Sequence, residues 1–565
     1  MKLLKLTLFS SFRGLPKGFE LNFRKDNYTE IDIHDPICLV GLNGSGKSNT
    51  LEALSEIFYF LELKTIVEGK EKLDLDTRYK DVGFEIHYKI SKNKWLFAYS
   101  RIIEQNLPLL NKNEDVIIIC RKEIGKDLAM FVSQYSNFKN SYPLNESIWK
   151  EILPNNVIGY SSGQNELISN PFIKLDYYYF DQFIKSTSED NFVSNTNVNR
   201  MFFMDYNSNE LVVLSNYLFN DHKEFKWKDE KEFNTKLKIN ELHSFSITIR
   251  YRNYDGKPIE FPSEINLGIE KLKQCATSYY DNREELEKNT SRSKSARITI
   301  LNFFTDKTVR SAFQKTFNRP FEIFKLLYLL RLMNIHCTSP TNRNSIKNAS
   351  RGTNLSDLIP KPAIENLVFK IDNINFIKTN VVEPVPYKNL SDGEHQLLHV
   401  IGTLRLMQEN DTFFILDEPE THFNPEWRAK MINLIMSNNQ VVFKEQDHFI
   451  TSHSPFIISD CKPNNVYIFN REKSGKLKVE TAAQKRLNTF GTSVNILTEE
   501  IFNKNESQGD YSNKEINKIK KRKLDSPEKI QKAKEDSRLL GDSVEKTLLF
   551  RTLLLKEEKI KKDKE

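Results

Sequence analysis

The run Gly41-Leu42-Asn43-Gly44-Ser45-Gly46-Lys47-Ser48 follows an apolar stretch, Ile37-Cys38-Leu39-Val40, and leads into Asn49-Thr50-Leu51-Glu52-Ala53-Leu54. Glycines at 41, 44 and 46 let a backbone turn tightly and aim its N–H groups at one point. Lys47 adds a positive charge there, and the Ser48 hydroxyl adds an oxygen suited to Mg2+. A helix starting at Lys47 would turn its positive end toward the same place. Together these residues compose a grip for a triphosphate, the Walker A pattern in its strand–loop–helix context. Far along the chain, Thr412-Phe413-Phe414-Ile415-Leu416-Asp417-Glu418-Pro419 is an apolar strand ending in two carboxylates. Asp417 suits Mg2+ held through water, and Glu418 suits the proton of an attacking water. Phosphoryl transfer asks of a protein mainly positioning and charge neutralisation. The implied ligands are ATP and Mg2+.

Upstream of that strand stands Asn389-Leu390-Ser391-Asp392-Gly393-Glu394, followed by an apolar-striped helix from His395 to Met407. The LSDGE stretch resembles the LSGGQ signature of ABC-type ATPases, with Asp392 and Glu394 departing from Gly and Gln. The resemblance implies that Ser391, Gly393 and Glu394 close over the γ-phosphate held by the P-loop of a second protomer. In Thr451-Ser452-His453-Ser454-Pro455, His453 resembles the switch histidine of the family, whereas His448 has no such support and reads as structural. The run from Asp417 to Pro425 resembles the DEPExHLHP form of the OLD and RecF ATPases, with Phe423 and Asn424 in place of Leu and His. Arg13 matches the arginine that lies near the nucleotide in SMC-like members. Gln164, in Ser161-Ser162-Gly163-Gln164, is the candidate Q-loop glutamine; its SSGQ also mimics a signature but lies too far before Glu418 to serve as one.

The elements that must position these residues imply an α/β fold: an ABC-ATPase head, with a P-loop core sheet and an antiparallel lobe, a helical insertion and a C-terminal helical extension. Met1–Phe9 alternates as a first strand, and a second lies near Phe19–Phe23. Residues 1–165 are expected to carry the first ATPase lobe and Walker A. Residues 166–364 are expected to form a largely helical insertion, with helices over Ile265–Leu286 and Ile298–Met333 and a loop over the Asn/Ser-rich 342–353. Residues 365–475 would carry the signature, the Walker B strand that ends in Asp417 and Glu418, and the switch histidine, and 476–565 a basic extension. In that extension Asp542 is expected to cap a helix, with Glu545 reaching back, and Val544, Leu548, Leu549 and Leu553 to share one face. Ser291–Arg297 is basic, which suits either a DNA contact or a mobile loop.

Composition narrows the rest. Hydrophobic residues make up 39% and charged residues 28% of 565, enough for a real core. No run of eighteen apolar residues suggests a membrane span, and the N-terminus lacks a cleavable leader pattern, so a cytoplasmic location is expected. Cys38, Cys120, Cys275, Cys337 and Cys461 are scattered without a CxxC pair, against zinc or a disulfide framework. The net charge of +7 sits mostly in 511–565, where 17 Lys/Arg face 11 Asp/Glu. The whole arrangement resembles the restriction-system-associated ATPases and PtuA of the Septu and retron antiphage systems. That resemblance implies a homodimer or higher homo-oligomer regulating a separate HNH-type (PtuB-like) nuclease, with retron RNA or DNA as a possible further partner and no membrane. The alternatives are an SMC/RecF-like DNA-repair clamp and an OLD-like nuclease whose active site has not been recognised, since the Toprim acidic motifs are not found after His453.

Overall fold

The structure, a computed structural model, describes residues 1–24, 36–101, 116–134, 137–163, 166–188, 199–222, 225, 237–282, 297–437, 445–503 and 509–562. It divides into two compact units, Met1–Gly491 and Thr492–Glu565.

The larger unit contains a seven-stranded sheet in the order β18 (Leu477–Thr481), β17 (Val466–Arg471), β3 (Ile37–Gly41), β16 (Asp447–Thr451), β15 (Thr412–Asp417), β8 (Asn156–Ser161), β9 (Met201–Met204). From β17 to β9 every pairing is parallel, and only β18 is antiparallel. Parallel strands covered on both faces must be apolar almost throughout, and β3, β15 and β16 are buried at every residue. Register aligns Asp417 with Thr451 and Thr451 with Leu39. The carboxyl ends of three neighbouring strands therefore lie side by side, where open α/β sheets bind ligands.

A second sheet is antiparallel: β2 (Glu20–Asn22), β1 (Lys2–Leu8), β4 (Phe84–Ile90), β5 (Val116–Lys122), β6 (Leu128–Gln134), β7 (Asn137–Pro143). Between it and the core sheet lies the helix Lys47–Ile66, buried along nearly its whole circumference. Phe58 shows the sandwich directly, its ring 6.4 Å from Tyr88 of β4 and 5.2 Å from Phe413 of β15. One continuous apolar cluster unites both sheets and this helix. Arg24 pairs with Asp447 at the head of β16 (2.6 Å), and the Leu3 N–H donates to the same carboxylate (2.7 Å), pinning the lobe to the core.

The segment after residue 166 departs from the expected run of helices. A third sheet, antiparallel, runs β11 (Ser278–Asp281), β12 (Ile298–Phe304), β10 (Ile239–Arg250), β13 (Phe369–Lys378), β14 (Val385–Pro386). The helix expected over Ile265–Leu286 ends at Cys275, and β11 follows it. The helix expected over Ile298–Met333 is instead β12 and two helices, Lys307–Thr316 and Pro320–Leu332. The reason is periodicity: Thr299, Leu301 and Phe303 are buried while Asn302 and Phe304 are exposed, a period of two. The Asp306 carboxylate then caps the next helix by accepting from Val309 N–H (2.8 Å). The first part of the Asn/Ser-rich stretch expected as a loop belongs to the helix Pro340–Asn348, started by a Ser339 cap and a proline at the first turn, whereas residues 349–353 are the expected non-helical chain. Residues 283–296, which include most of the basic Ser291–Arg297 run, lie outside the described residues.

The smaller unit is helical: Val494–Phe502, Asp510–Lys520, Pro527–Arg538 and Val544–Lys562. Its core joins Ile516, Ile519, Ala533, Leu549 and Leu553. Two expectations are corrected. Leu548 is 52% exposed rather than packed beside Leu549 and Leu553. The cap of the last helix is Ser543, whose hydroxyl accepts from Lys546 N–H (3.1 Å), while Asp542 pairs with the Lys546 ammonium. The boundary at 476 also shifts, because β18 belongs to the core sheet and the larger unit runs to Gly491.

Candidate functional site

The P-loop begins where β3 runs out. Gly41 has φ +140°, and a Cβ there would lie 2.2 Å from the Phe469 carbonyl oxygen of adjacent β17, so the close approach of the two strands demands glycine. Gly44 and Gly46 also take positive φ, +73° and +111°. Gly46 is the N-cap of the helix that follows. Leu42, Asn43 and Gly44 are exposed at the mouth of the loop, whereas Ser45 is buried. Lys47 reaches back inside the loop. Its ammonium donates to the Gly41 carbonyl (3.0 Å) and the Leu42 carbonyl (3.1 Å) with 4% of the residue exposed. Burial lowers its pKa, opposed by the nearby Glu418 and Asp417 carboxylates.

Three hydroxyls converge on Asp417 at the end of β15. Ser48 Oγ and Thr451 Oγ1 donate to its Oδ1 at 2.9 and 2.7 Å, and Ser161 Oγ approaches Oδ2 at 3.4 Å. Strand register delivers this cluster, because Asp417 pairs with Thr451 on one side and Ser161 on the other. Sequence reasoning found Ser48 and Asp417 but missed Thr451 and Ser161. The signal was a hydroxyl residue at the end of each flanking strand, which becomes visible only once strand order is known.

Glu418, one residue beyond the strand, sits in the left-handed region at φ +48°. Its N–H donates to Thr451 Oγ1 (3.0 Å), which helps hold that strained backbone. Its carboxylate stands 3.2 Å from His453 Nε2. That hydrogen bond holds Glu418 below the usual carboxylate range, against burial, with Lys47 assisting. Glu420 points the other way: it is buried, Ser452 Oγ donates to it, and burial raises its pKa. His448 lies flat on the Phe414 ring (4.6 Å, 5°), fully buried, with burial driving its pKa down to about 3.

The structure thus brings together Lys47, Ser48, Asp417, Glu418 and His453. Other candidates stand apart. The Arg13 guanidinium is paired with Glu52 and donates to the Arg351 carbonyl (2.9 Å). Asn49 donates to the Arg13 carbonyl (3.2 Å), so both residues brace the turn beside the P-loop helix. Gln164 lies outside the described residues. Ser391 caps the helix Asp392–Leu406 in a reciprocal capping box with Glu394: Glu394 N–H donates to Ser391 Oγ (3.3 Å) and Ser391 N–H to Glu394 Oε2 (2.9 Å). Burial pushes Glu394 up, but Lys378 at 2.6 Å and the Ser391 bonds outweigh it and hold the carboxylate low. Glu394 therefore shapes this turn. At Gly393 an added Cβ would meet the His422 carbonyl at 3.4 Å.

The residues present fit a magnesium-bound triphosphate. Ser45 Oγ is buried beside Gly41 and has no hydrogen-bond partner among the described residues, an orphan that a phosphate oxygen would satisfy. The backbone N–H groups opening the helix at Lys47 stand at its positive end. Ser48 and Asp417 supply hard oxygens suited to Mg2+.

A family model described as "AAA domain, putative AbiEii toxin, Type IV TA system" matches residues 243–459. That span is under half of the chain; it includes Ser391–Glu394, Asp417, Glu418 and His453 but not residues 41–48. No curated protein matches the chain. Among solved structures, one titled as the SmcHead bound to the C-winged helix domain of ScpA aligns with 85% of this chain and 98% of its own, at 13% identity and a TM-score of 0.32. Another, titled as the recombination mediator protein RecF-ATPrS in the RecFOR pathway, aligns with 84% and 97%, at 12% identity and a TM-score of 0.28.

Proposed function

We propose that this chain is an ABC-type ATPase whose hydrolytic site is completed when two copies meet. The observation that supports this most is the convergence of Lys47, Ser48, Asp417, Glu418 and His453 at the carboxyl ends of three adjacent parallel strands. Lys47 leaves the Gly41 and Leu42 carbonyls to pair with the terminal phosphates. Ser48 and Asp417 would hold Mg2+, which would supply neutralisation of charge on the phosphate oxygens. Glu418, kept ionised by His453, accepts the proton of the attacking water. His453 orients that carboxylate and, by its resemblance to a switch histidine, would contact the γ-phosphate. Ser391, at a helix N-terminus, offers its hydroxyl and the helix dipole to the triphosphate held by the other copy.

The finer reading is that this ATPase regulates a separate nuclease in antiphage defence. It draws support from the resemblance to PtuA-like proteins and from a matching family whose description names a toxin of a toxin–antitoxin system. Phosphate release from Mg-ATP by the purified chain, alongside Glu418→Gln, tests the ATPase. Wild-type turnover with binding retained and turnover lowered at least about 100-fold in the variant is the expected result. Full turnover in Glu418→Gln would remove Glu418 as the base. Co-purification from the native host, followed by mass measurement, tests the nuclease partner.

A further inference from the structure

Gln396 lies within the helix that Ser391 caps and is 6% exposed. Its amide is used at both ends. Nε2 donates to the Pro419 carbonyl (2.8 Å), and Oε1 accepts from the His422 N–H (2.9 Å). The Tyr160 hydroxyl of β8 engages the same side chain. Pro419 and His422 bracket the loop that leaves Glu418, so one side chain staples that loop to the helix. The fit is specific to glutamine. Glutamate cannot donate to Pro419, leucine does neither, and asparagine is one methylene shorter. The contact is extended one turn toward the helix start, where Gly393 lies against the His422 carbonyl. The loop is also held from its far side, by Arg428 donating to the Thr421 carbonyl (3.0 Å). Yet Thr421, His422 and Asn424 themselves face solvent.

We infer that Gln396 is a positioning residue that makes the Ser391 helix end and the loop after Glu418 a single body, so that seating Ser391 on a second copy's triphosphate also sets this copy's Glu418. The inference rests on the ATPase reading above and adds the link by which closure between copies is communicated to the base. Among the described residues Gln396 makes its hydrogen bonds to Pro419 and His422 and none to the P-loop or Asp417, and its loss should leave nucleotide capture alone.

The test uses the full chain with Gln396→Glu and Gln396→Leu. A fluorescent ATP analogue reports affinity, phosphate release reports kcat and KM, and light scattering reports ATP-driven self-association. The expected result is affinity and KM within about twofold of wild type, with kcat at least about tenfold lower in both variants. A Gln396→Glu chain that keeps wild-type kcat overturns the inference and leaves the ATPase reading standing. So does a loss of kcat matched by an equal loss of nucleotide affinity, since a merely structural role would move both. If Gln396→Leu does not fold, the near-isosteric Gln396→Glu decides alone. A wild-type chain that binds ATP without turning it over overturns both readings.

Discussion

Lys47 is folded inside its own loop, and that arrangement has a cost and a use. The two carbonyls it holds, Gly41 and Leu42, keep a buried ammonium hydrogen-bonded before any phosphate arrives. Lys47→Ala removes the only positive side chain of that loop. ATP affinity should fall by at least about 100-fold, read by titration of a fluorescent analogue. Glu418 carries a second prediction. The hydrogen bond to His453 holds it below the ordinary glutamate value of 4.5, so the proposed base stays ionised at pH values at which a free glutamate would begin to protonate. The acid limb of kcat/KM, which reports the free enzyme, should lie below that range in wild type. In His453→Ala it should move upward; a limb that does not move would dissociate the histidine from the base.

At the scale of elements, the site depends on strand ends meeting closely. Gly41→Ala would place a Cβ against the Phe469 carbonyl in a backbone region that L residues avoid. The expected loss is about 3 kcal/mol or more, read as a drop in the melting temperature of Met1–Gly491. The P-loop helix supplies a pH test. Burial raises Glu52 to about 7 from 4.5, despite the Arg13 partner. A raised carboxyl pKa means that the folded state binds the proton more tightly. Its stabilising share is complete below pH 4.5 and is lost as pH climbs to about 7. Glu52→Gln should therefore flatten the fall in melting temperature across that window. An unchanged slope would place the titration elsewhere.

At the scale of the whole molecule, the proposed site is shared between copies, and that sharing can be tested without a structure of the dimer. Ser391→Arg should spare ATP binding and stop turnover, while Lys47→Ala stops binding. Neither chain alone turns over. Mixed in equal amounts, each mixed pair holds one intact P-loop facing one intact Ser391, and turnover should recover to at most about a quarter of wild type. Absence of recovery, with mixed pairs demonstrated by mass, would mean that the Ser391 turn does not act across an interface. The C-terminal unit has its own apolar core. A chain ending at Gly491 should therefore retain the nucleotide affinity of the full chain.

Local chemistry was legible in the sequence wherever a function needs particular residue types at fixed spacing. The glycine–lysine–serine loop, the carboxylate pair after an apolar strand and the strand preceding His453 all stand where the pattern required, because each is specified by neighbours within ten or so residues. The antiparallel third sheet was not legible. Ile298–Phe304 is short and apolar, and helix and strand compete evenly over such a run until the partner strands β10 and β11 settle it. Nor could the sequence disclose that Thr451 and Ser161 flank Asp417, that Arg13 rests on Glu52, or that Gln396 grips Pro419 and His422. Those contacts join positions that parallel strand order and helix packing bring together across tens to hundreds of residues, and no local pattern encodes which distant side chain will fill a given hydrogen bond.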